Sequence, residues 1–568
     1  MNVFTKAWLL FHIVRWRLTW DKRDTSYRPA ELKNPKFVSA LDAVRMIQDN
    51  SVVMSSGMAA NSRCSIFFWA VKELFQQTQH PRNLTWIVVG AQGSRGRTPG
   101  SLEELAIPGL LTRYIGGHLE TVKAILKQAE AGHIELQAMP QGDLTFLLET
   151  QARGEDSILS ETGLGTFLDP RVGSGTQVVP GKGESLVTVE GDRLRYRLPK
   201  INLAMFVAPY ADLEGNIYME KAATYTESRE SALAAHRNGG KVLVAVAEIK
   251  DKDPAKIFLP ADKVDAIVVN PRVEQTGSIA QRRYWPMFTV GAKVDALEAV
   301  AMLKWVNTIL KITPVRDQAE DAMARMAASI FTRVTGPGAL VNVGVGLPEE
   351  VCRLIHEGGL FKDVIFATET GVYGGLPTPG VFFGAAINPT RMMSSAEIFH
   401  LWEKKLDVTV LGLLQADSHG NVNVSKRGEG PINYVGPGGL PNIVNSAKSI
   451  IFIGSWMAQA EFAIEDGRLK IKKPGLHKFG KTVDQITFSG DRALAKGKQV
   501  YYVTHVGSFR LTARGMELFE VMPGVDIQRD ILEACPMQVV LPEGKPVPVV
   551  DRAIVTGEGF RLQWQKQA

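Results

Sequence analysis

Cysteine is scarce in this sequence of 568 residues, which contains only Cys64, Cys352 and Cys535. The three lie far apart and form no C-x-x-C pair, so neither a disulfide framework nor a thiolate zinc site is indicated. The sequence also lacks a G-x-S-x-G turn, an H-E-x-x-H helix and a cluster of histidine, cysteine and acidic residues. Serine hydrolase and metal chemistry therefore lose their usual support, and no metal ligand is predicted. The scarcity of cysteine fits a reducing cytoplasm best.

No uninterrupted apolar run reaches the length of about 18 residues that a membrane-spanning helix needs. Residues 1–35 instead form a basic amphipathic extension with no acidic residue before Asp21. One helical stripe of this extension consists of Phe4, Ala7, Phe11, Val14 and Leu18. The pattern predicts either a peripheral membrane contact through residues 1–20 or a helix packed on its own domain or on a partner subunit, and packing is the favoured interpretation.

Charge of one sign is not concentrated in the chain. The net charge is +6 and the sequence pI is about 9.0, a mild excess that favours an anionic small molecule and does not indicate nucleic acid. Apolar residues make up 45% and charged residues 22%, as in an ordinary soluble protein, and the length is too great for one core. Two or more domains are expected.

The chain contains two related halves. Residues 205–218 and 410–423 are each a hydrophobic strand followed by Ala-Asp-x-x-Gly-Asn, and residues 51–57 and 339–346 are each a strand ending in glycine before a helical stretch. Helical patterns at 65–78, 118–131, 317–333 and 348–357 alternate with the strands. This predicts an α/β fold of two tandem related domains with open, largely parallel sheets. The predicted segments are an extension (1–35), an N-terminal domain (36–300), a linker (301–320), a C-terminal domain (321–545) and a tail (546–568).

Glu369 is the candidate catalytic residue. It follows an apolar run at residues 364–367 and precedes a glycine-dense loop that extends to Gly384. Open α/β sheets bind ligands at the carboxyl ends of their strands, so the position suggests a carboxylate presented as a nucleophile. The local sequence alone also fits an ordinary solvated turn.

Two glycine loops provide further candidate contacts. The first follows a strand and opens a helical segment, and it consists of Gly344, Val345, Gly346, Leu347 and Pro348. It lacks the third glycine of a dinucleotide fingerprint, so a classical NAD site is not predicted. The loop instead fits either a phosphate or pantetheine contact or a close strand–helix turn. The second, residues 434–441, directs backbone N–H groups at a developing oxyanion or is a plain turn.

Residues 475–482 match the phosphate-loop pattern G-x-x-x-x-G-K-T letter for letter. The pattern requires a buried apolar strand before it and a helix after it. Here the preceding residues are basic, and residues 483–489 alternate like a strand. An ATP site is therefore not predicted at this position.

Several motifs together resemble family I coenzyme A transferases of the single-chain type, in which both subunit types are fused. They lie at 368–377, 417–426, 436–439, 486–490 and 523–532, with 140–142 and 163–171 in the first half. The resemblance covers about residues 36 to 540 and includes propionate, acetate and acetoacetate CoA-transferases. It implies two CoA-transferase (NagB/RpiA-like) domains and a homodimer or homotetramer.

The resemblance also implies a mechanism. Glu369 attacks an acyl-CoA and passes through a glutamyl-CoA thioester in a ping-pong reaction with a free carboxylic acid. Gly439 is the implied oxyanion donor, residues 344–348 the CoA contact, and Gln141 a contact to the acid's carboxylate. Coenzyme A is a co-substrate, and no cofactor is held permanently.

Three segments depart from the family pattern: glycines are missing at 402–407 and at 55–61, and Thr504-His505-Val506 stands where Thr-Glu-Arg is common. These departures are expected to reshape the acyl or acceptor pocket. Two alternatives therefore stay open, a thioester or ring-opening hydrolase on the same fold and a non-catalytic CoA-binding protein. The acyl group and the acceptor acid are not identified by the sequence.

Overall fold

Seven parallel strands form the central sheet of the N-terminal half in a computed structural model that describes residues 1–94, 98–313 and 315–565. Their bounds are β1 Val52–Ser55, β2 Leu84–Val88, β3 Leu111–Gly116, β4 Glu135–Ala138, β5 Leu203–Ala211, β6 Lys241–Ile249 and β7 Ala266–Val269. The order across the sheet is β7-β6-β5-β1-β2-β3-β4, and a short strand, Ile217–Tyr218, pairs antiparallel with β5. The strands are buried on both faces, which explains their continuous apolar sequences.

A second sheet organises the C-terminal half. Its strands are β8 Ala339–Val343, β9 Val364–Phe366, β10 Val408–Gly412, β11 Ser449–Ile453, β12 Gln499–Thr504, β13 Gly507–Thr512, β14 Gly515–Val521 and β15 Val539–Val540. The order is β9-β8-β10-β11-β12-β13-β14-β15. The first five are parallel, and β13 and β14 extend the sheet as antiparallel neighbours.

The two halves share one topology. The order β2-β1-β5-β6-β7 in the first sheet repeats as β9-β8-β10-β11-β12 in the second, with every pair parallel. The Ala-Asp-x-x-Gly-Asn motifs also form the same turn. The Asp212 carboxylate accepts from the backbone and side chain of Asn216, and Asp417 accepts in the same way from Asn421. The prediction of two tandem, related, largely parallel domains is confirmed.

Helices cover both sheets. Their bounds are α1 Val3–Thr19, α2 Ala40–Val44, α3 Ser65–Thr78, α4 Lys123–Glu130, α5 Gln141–Arg153, α6 Ser228–Arg237, α7 Ala296–Ile309, α8 Gln318–Val334, α9 Pro348–Glu357, α10 Ser395–Lys404, α11 Leu440–Ser446, α12 Gly490–Ala495 and α13 Arg552–Thr556. Capping fixes several starts. At α8, Asp317 and Glu320 form a reciprocal capping box, which satisfies N–H groups that the first turn leaves unpaired.

The described parts of the segments predicted as linker and tail are packed against the C-terminal half. Residues 301–320 include the second half of α7, whose Asn307 side chain bonds the backbone of Pro379 and Val381. In residues 546–568, α13 receives hydrogen bonds from the Arg325 guanidinium on α8. The domain boundaries themselves stay a prediction.

The strand predicted at residues 483–489 is wrong. The chain there is irregular and forms a single bridge between Phe488 and Val422. Before it, Leu476–His477 and Phe479–Gly480 are short strands, and the next helix begins only at Gly490. Although residues 475–482 match the G-x-x-x-x-G-K-T pattern, they do not form the strand–loop–helix geometry that a phosphate loop requires.

Helix α1 packs through a different face from the predicted stripe. Leu9 and Ile13 are buried in the shared core, whereas Phe4, Phe11 and Leu18 are 87%, 65% and 68% exposed. Further inner contacts are made by Trp8, His12 and Trp16. Because these residues are aromatic or polar, the apolar period alone indicated the wrong face. Across the described residues, none of the helices has both the length and the apolar character needed to cross a membrane.

Candidate functional site

A tight turn fixes the backbone of Glu369 just beyond β9. The Thr368 N–H donates to the Val372 carbonyl at 3.0 Å, and the Thr368 and Thr370 hydroxyls both donate to the Gly384 carbonyl. Because residues 368 and 370 are anchored on the same side, the Glu369 side chain is directed away from them. Gly371 has a φ of +98°, and an added Cβ would lie 1.8 Å from the Met393 carbonyl oxygen, so the turn requires glycine there.

The Glu369 carboxyl group is buried and incompletely paired. The residue is 7% exposed, and its Oε2 atom has no hydrogen-bond partner among the described residues. Desolvation raises the pKa of Glu369 from 4.5 to about 7, against a smaller lowering by its own backbone N–H. A desolvated carboxylate is a stronger nucleophile than a hydrated one, and a perturbed pKa in a cleft is typical of a functional site.

Gly439, on another element, lies between the side chains of Glu369 and Gln141. A Cβ built on Gly439 would be 3.3 Å from Glu369 Cγ and 3.2 Å from Gln141 Oε1. Gly439 caps the start of α11, and no partner for its backbone N–H is found within the described chain. Gln141 is the first residue of α5, so the amino-terminal end of this helix lies beside Gly439. Three predicted site residues from both domains are thus brought together.

Asn442 joins the two helices that carry Gly439 and Gln141. Its Oδ1 accepts from the Gly142 N–H at 2.9 Å, and its Nδ2 donates to Asp143 Oδ2 at 3.1 Å. Burial raises the pKa of Asp143 to about 7 despite hydrogen bonds from neighbouring polar side chains. Since Gly142 leaves only 2.5 Å between a built Cβ and the Asn442 side chain, the two helices meet in direct contact. Asn442 belongs to no motif in the sequence. Only its place three residues after Gly439 could have indicated that it supports the site.

The N-terminal half closes the other side of the Glu369 turn. The Thr226 N–H donates to the Thr370 carbonyl at 2.9 Å, and the Asn61 side chain donates to the Phe383 carbonyl at 2.7 Å. Next to Thr226, the fully buried Glu227 accepts from the Gly57 N–H at 2.9 Å, and burial raises its pKa to about 8. Residues 55–61, one of the three departures from the family pattern, therefore do border the site.

The residues 344–348 loop follows β8, which is hydrogen-bonded to β9. The carboxyl end of β8 lies beside the carboxyl end of β9, which leads to Glu369. In addition, the Asn342 side chain on β8 donates to the Ala367 carbonyl at 3.4 Å. Val345 is 41% exposed, and Gly346 has a φ of +92°. After the loop, burial raises the pKa of Glu349 to about 7, and this side chain accepts from the Gly380 N–H at 3.4 Å. The loop is accessible and is linked to the glycine-dense segment after Glu369.

The expectation that residues 402–407 reshape the acyl or acceptor pocket is wrong. Trp402 is buried near the end of α10, and the Asp407 carboxylate accepts from the Leu340 N–H at 2.9 Å. This segment therefore lies at the amino-terminal end of β8 and β10, the opposite edge of the sheet from Glu369. His505 follows β12 at the carboxyl edge, stacks on Phe462 with ring centroids 3.9 Å apart, and is kept neutral because burial lowers its pKa to about 4.

Gln92 is the buried polar residue that follows β2, the counterpart of β9 in the first sheet. It is fully buried, and its amide accepts from the Ser55 hydroxyl at 3.0 Å and donates to the Ser55 carbonyl at 3.2 Å. An amide side chain has no nucleophilic oxygen comparable with a carboxylate. The duplicated strand end thus carries no second candidate nucleophile at this position.

A metal centre finds no support in the arrangement of ligand side chains. In residues 1–94, 98–313 and 315–565, no group of three or more His, Cys, Asp or Glu side chains could hold a metal ion. The chemistry available at Glu369 is nucleophilic attack by a carboxylate next to backbone and side-chain amides.

Comparison with known proteins identifies relatives along most of the chain. A family model described as coenzyme A transferase matches residues 37–270. A caffeate CoA-transferase from Acetobacterium woodii is 33% identical over 512 residues, which cover 88% of this chain and 93% of that protein. An acetate CoA-transferase, YdiF, from Escherichia coli strain K12 is 32% identical over 506 residues, 87% of this chain and 91% of that protein.

A solved structure shares the two-domain arrangement. The acyl-CoA transferase YdiF from E. coli O157:H7, in a thioester complex with CoA, superposes with a TM-score of 0.80 at 29% identity. The superposition covers 92% of this chain and 97% of that one.

Proposed function

Because this chain belongs to the coenzyme A transferase family and transfers coenzyme A between an acyl-CoA and a free carboxylic acid, we propose that Glu369 carries the transfer through a glutamyl-CoA thioester. One observation carries the proposal above all others. The Glu369 carboxyl group is buried with one oxygen unpartnered, and Gly439 lies beside both the Glu369 side chain and the Gln141 amide. Coenzyme A is the co-substrate.

The first half-reaction consists of two substitutions. A Glu369 oxygen attacks the thioester carbonyl carbon, the C–S bond breaks, and the CoA thiolate leaves a mixed anhydride of Glu369 and the acyl group. The thiolate then attacks the Glu369 carbonyl carbon, the anhydride C–O bond breaks, and the donor acid departs as a carboxylate. An acceptor carboxylate reverses both steps. No net proton is taken up, so the site needs no separate general base.

The proposed roles of the neighbouring residues follow from their positions. The Gly439 N–H is a donor to the oxyanion that forms at each tetrahedral centre, where a fixed donor stabilises charge more than water does. The Gln141 amide contacts the carboxylate of the departing or entering acid. Residues 344–348 contact coenzyme A at the adjacent strand end, and binding energy from that remote part of the substrate stabilises the reactive geometry.

The identity of the acid is left to experiment. The relatives named above are a caffeate and an acetate CoA-transferase, so acids of very different size are candidates for this chain. We propose a screen with acetate, propionate, acetoacetate and caffeate as acceptors of coenzyme A. The expected result is a preference of at least about tenfold for one of them, since a difference of 1.4 kcal/mol in transition-state binding is a factor of ten.

Trapping the covalent intermediate tests the mechanism. The protein is incubated with an acyl-CoA without acceptor and treated with borohydride or hydroxylamine, and the modified peptide is located by mass spectrometry. We expect modification at Glu369 and no reaction in Glu369→Ala. Full turnover by Glu369→Ala would refute this mechanism.

The same incubation separates the alternatives. Steady release of CoA without an acceptor acid indicates the thioester or ring-opening hydrolase. Binding of CoA with neither adduct nor turnover indicates the non-catalytic CoA-binding protein. Transfer that requires an acceptor supports the transferase mechanism.

The surroundings of the protein are further proposals. We propose a cytoplasmic homodimer or homotetramer, with a peripheral membrane contact through residues 1–20. All three cysteines are free and buried, which suits a reducing compartment. Light scattering after size-exclusion chromatography tests the assembly, and a monomer at micromolar concentration would contradict it.

A further inference from the structure

Helix α1 presents an apolar outer face although its inner face is already packed. On the outer face, Phe4 is 87% exposed, Leu18 68%, Phe11 65% and Val14 48%. With Ala7, which is also exposed, these residues recur at the spacing of one helical stripe. A contiguous exposed apolar strip of this kind marks an interaction surface.

The inner face of α1 packs against the rest of the chain. Leu9 is fully buried, and Ile13 is 5% exposed. Between them, the His12 ring lies 5.1 Å from the Trp285 ring and bonds the Ser278 hydroxyl at 3.2 Å. One turn later, the Trp16 indole donates to Glu274 at 3.3 Å. The helix is therefore held in place with its stripe turned outward.

Cations border the stripe. Lys6 and Arg17 are exposed, Arg15 is half-buried, and the first 20 residues contain no Asp or Glu. At 100° per residue, Lys6 and Arg17 fall on one side of the stripe and Arg15 on the other. A second copy of the helix would place like charges opposite one another, whereas a surface of anionic lipid headgroups complements them.

We infer that α1 docks on an anionic lipid surface, lying in its plane with the stripe inserted at the boundary between headgroups and acyl chains. The helix is about 25 Å long at 1.5 Å per residue, and it acts as an attached interfacial helix and not as a span. This inference names the partner of the proposed membrane contact, and it does not depend on Glu369. The transferase would be held at a membrane while its domains stay in water.

Vesicle sedimentation with the full chain tests the inference. The protein is mixed with vesicles of phosphatidylcholine alone or of phosphatidylcholine with 30% phosphatidylglycerol, and the bound fraction is measured. We expect binding to the anionic vesicles at least about tenfold above the neutral ones, falling steeply with added salt because the charge contribution is screened. Binding to neither vesicle overturns the inference.

Two variants separate the apolar and charged contributions. The triple change Phe4→Ser, Phe11→Ser and Leu18→Ser is expected to lower binding to anionic vesicles at least tenfold. The triple change Lys6→Gln, Arg15→Gln and Arg17→Gln is expected to remove the preference for anionic lipid. Either variant binding as well as the unaltered chain contradicts the inference.

A matched control uses exposed apolar residues elsewhere. Val172, Leu213 and Leu476 are 52%, 64% and 64% exposed, and changing all three to serine is expected to leave binding unaltered. Transferase activity in vesicle-free solution is expected to be equal in all variants, so failure of the membrane contact is distinguishable from failure of the proposed function. Loss of self-association by the Phe4, Phe11 and Leu18 variant in light scattering would assign the stripe to a subunit contact and overturn the lipid proposal.

Discussion

The reactivity of a single residue depends on the burial of Glu369. In water its carboxylate would be a weak nucleophile with a pKa near 4.5, but burial without a cationic partner raises the pKa to about 7. Hydrogen bonds of Thr368 and Thr370 to the Gly384 carbonyl hold the chain on either side of Glu369. The proposed nucleophile is thus kept in an environment that disfavours its charge.

The pH dependence of the first half-reaction follows from this pKa. Glu369 must be ionised to attack, so we expect the second-order rate of adduct formation to rise with pH, with a midpoint about 7, and to fall about tenfold per pH unit below it. Rapid quench between pH 5.5 and 8.5 measures this rate. A midpoint near the ordinary value of 4.5 would show that the free protein does not keep Glu369 desolvated.

Stability should respond to the same group with the opposite trend. The folded-state pKa lies above the unfolded one, so the folded protein holds the proton more tightly, and stability is lost as pH rises from about 4.5 through about 7. Glu369→Gln removes this loss. We expect the variant to be more stable than the unaltered chain by about 3 kcal/mol at pH 8, at 1.4 kcal/mol per pH unit, and by little at pH 4.5. Urea unfolding at the two pH values measures the difference, and an equal effect at both would contradict the assignment.

Gly439 offers a test of the oxyanion role. An added Cβ would lie 3.3 Å from Glu369 Cγ and 3.2 Å from Gln141 Oε1, so Gly439→Ala must displace one of these side chains or the backbone amide by a few tenths of an ångström. We expect kcat to fall by about 10²- to 10³-fold, as for loss of one oxyanion donor. Gly336→Ala is the control, because a Cβ there meets nothing within 4 Å. Equal kcat values for the two variants would contradict this prediction.

At the scale of elements, the site depends on how α5 and α11 are held together across the domain boundary. Asn442 links them through Gly142 and Asp143, so Asn442→Ala leaves the buried Gly142 N–H unpaired and removes one hydrogen bond from the buried Asp143 carboxyl group. We expect kcat to fall by about 10²-fold and the free energy of unfolding by about 2–4 kcal/mol, while KM for acyl-CoA changes little.

Asn445, on the same helix, provides the control for this prediction. Its side chain bonds Lys496 at 2.8 Å on the surface, away from Gln141. Asn445→Ala should leave kcat and the unfolding free energy within experimental error of the unaltered chain. If Asn442→Ala loses stability but keeps full kcat, Asn442 supports the fold and does not position the site.

Sequence predicted the elements well where local signals agree with packing. Helices α3 and α9 occupy the predicted residues, and α8 is shifted by one. Apolar periodicity marks all three, and the start of α8 also carries a capping box while α9 begins with a proline. Residues 483–489 alternate like a strand, but their neighbours provide only one bridge at Phe488, so pairing did not follow the pattern. On α1 the period was right and the buried face wrong, since Trp8, His12 and Trp16 make the inner contacts.

The sequence indicated the residues that the fold brings together at the candidate site, but not the residues that support them. Glu369, Gly439 and Gln141 belong to local motifs, and the fold brings them together. Asn442, Thr226 and Glu227 carry no local signature, because their roles arise from contacts between the domains. Residues 402–407 were expected to shape the acyl or acceptor pocket, but they lie at the opposite edge of the sheet, a position that the local sequence does not show.

For the whole molecule, the important relation is between the two sheets. They share five strands in one order, and the site forms where their loops meet, with Gln141 and Thr226 from one half and Glu369 and Gly439 from the other. Neither half contains the complete set. The proposed reaction therefore requires both domains in one molecule.

Together with the proposed mechanism, the amide of Gln92 predicts how many coenzyme A molecules one chain holds covalently. Two copies of the same topology would allow two reactive carboxylates, but the copy after β2 ends in an amide bonded to Ser55. Saturating acyl-CoA without acceptor should therefore give one adduct per 62.3 kDa chain in intact mass spectrometry, and a second adduct would contradict this. The duplicated fold has become asymmetric, with one half providing the nucleophile and the other helping to enclose it.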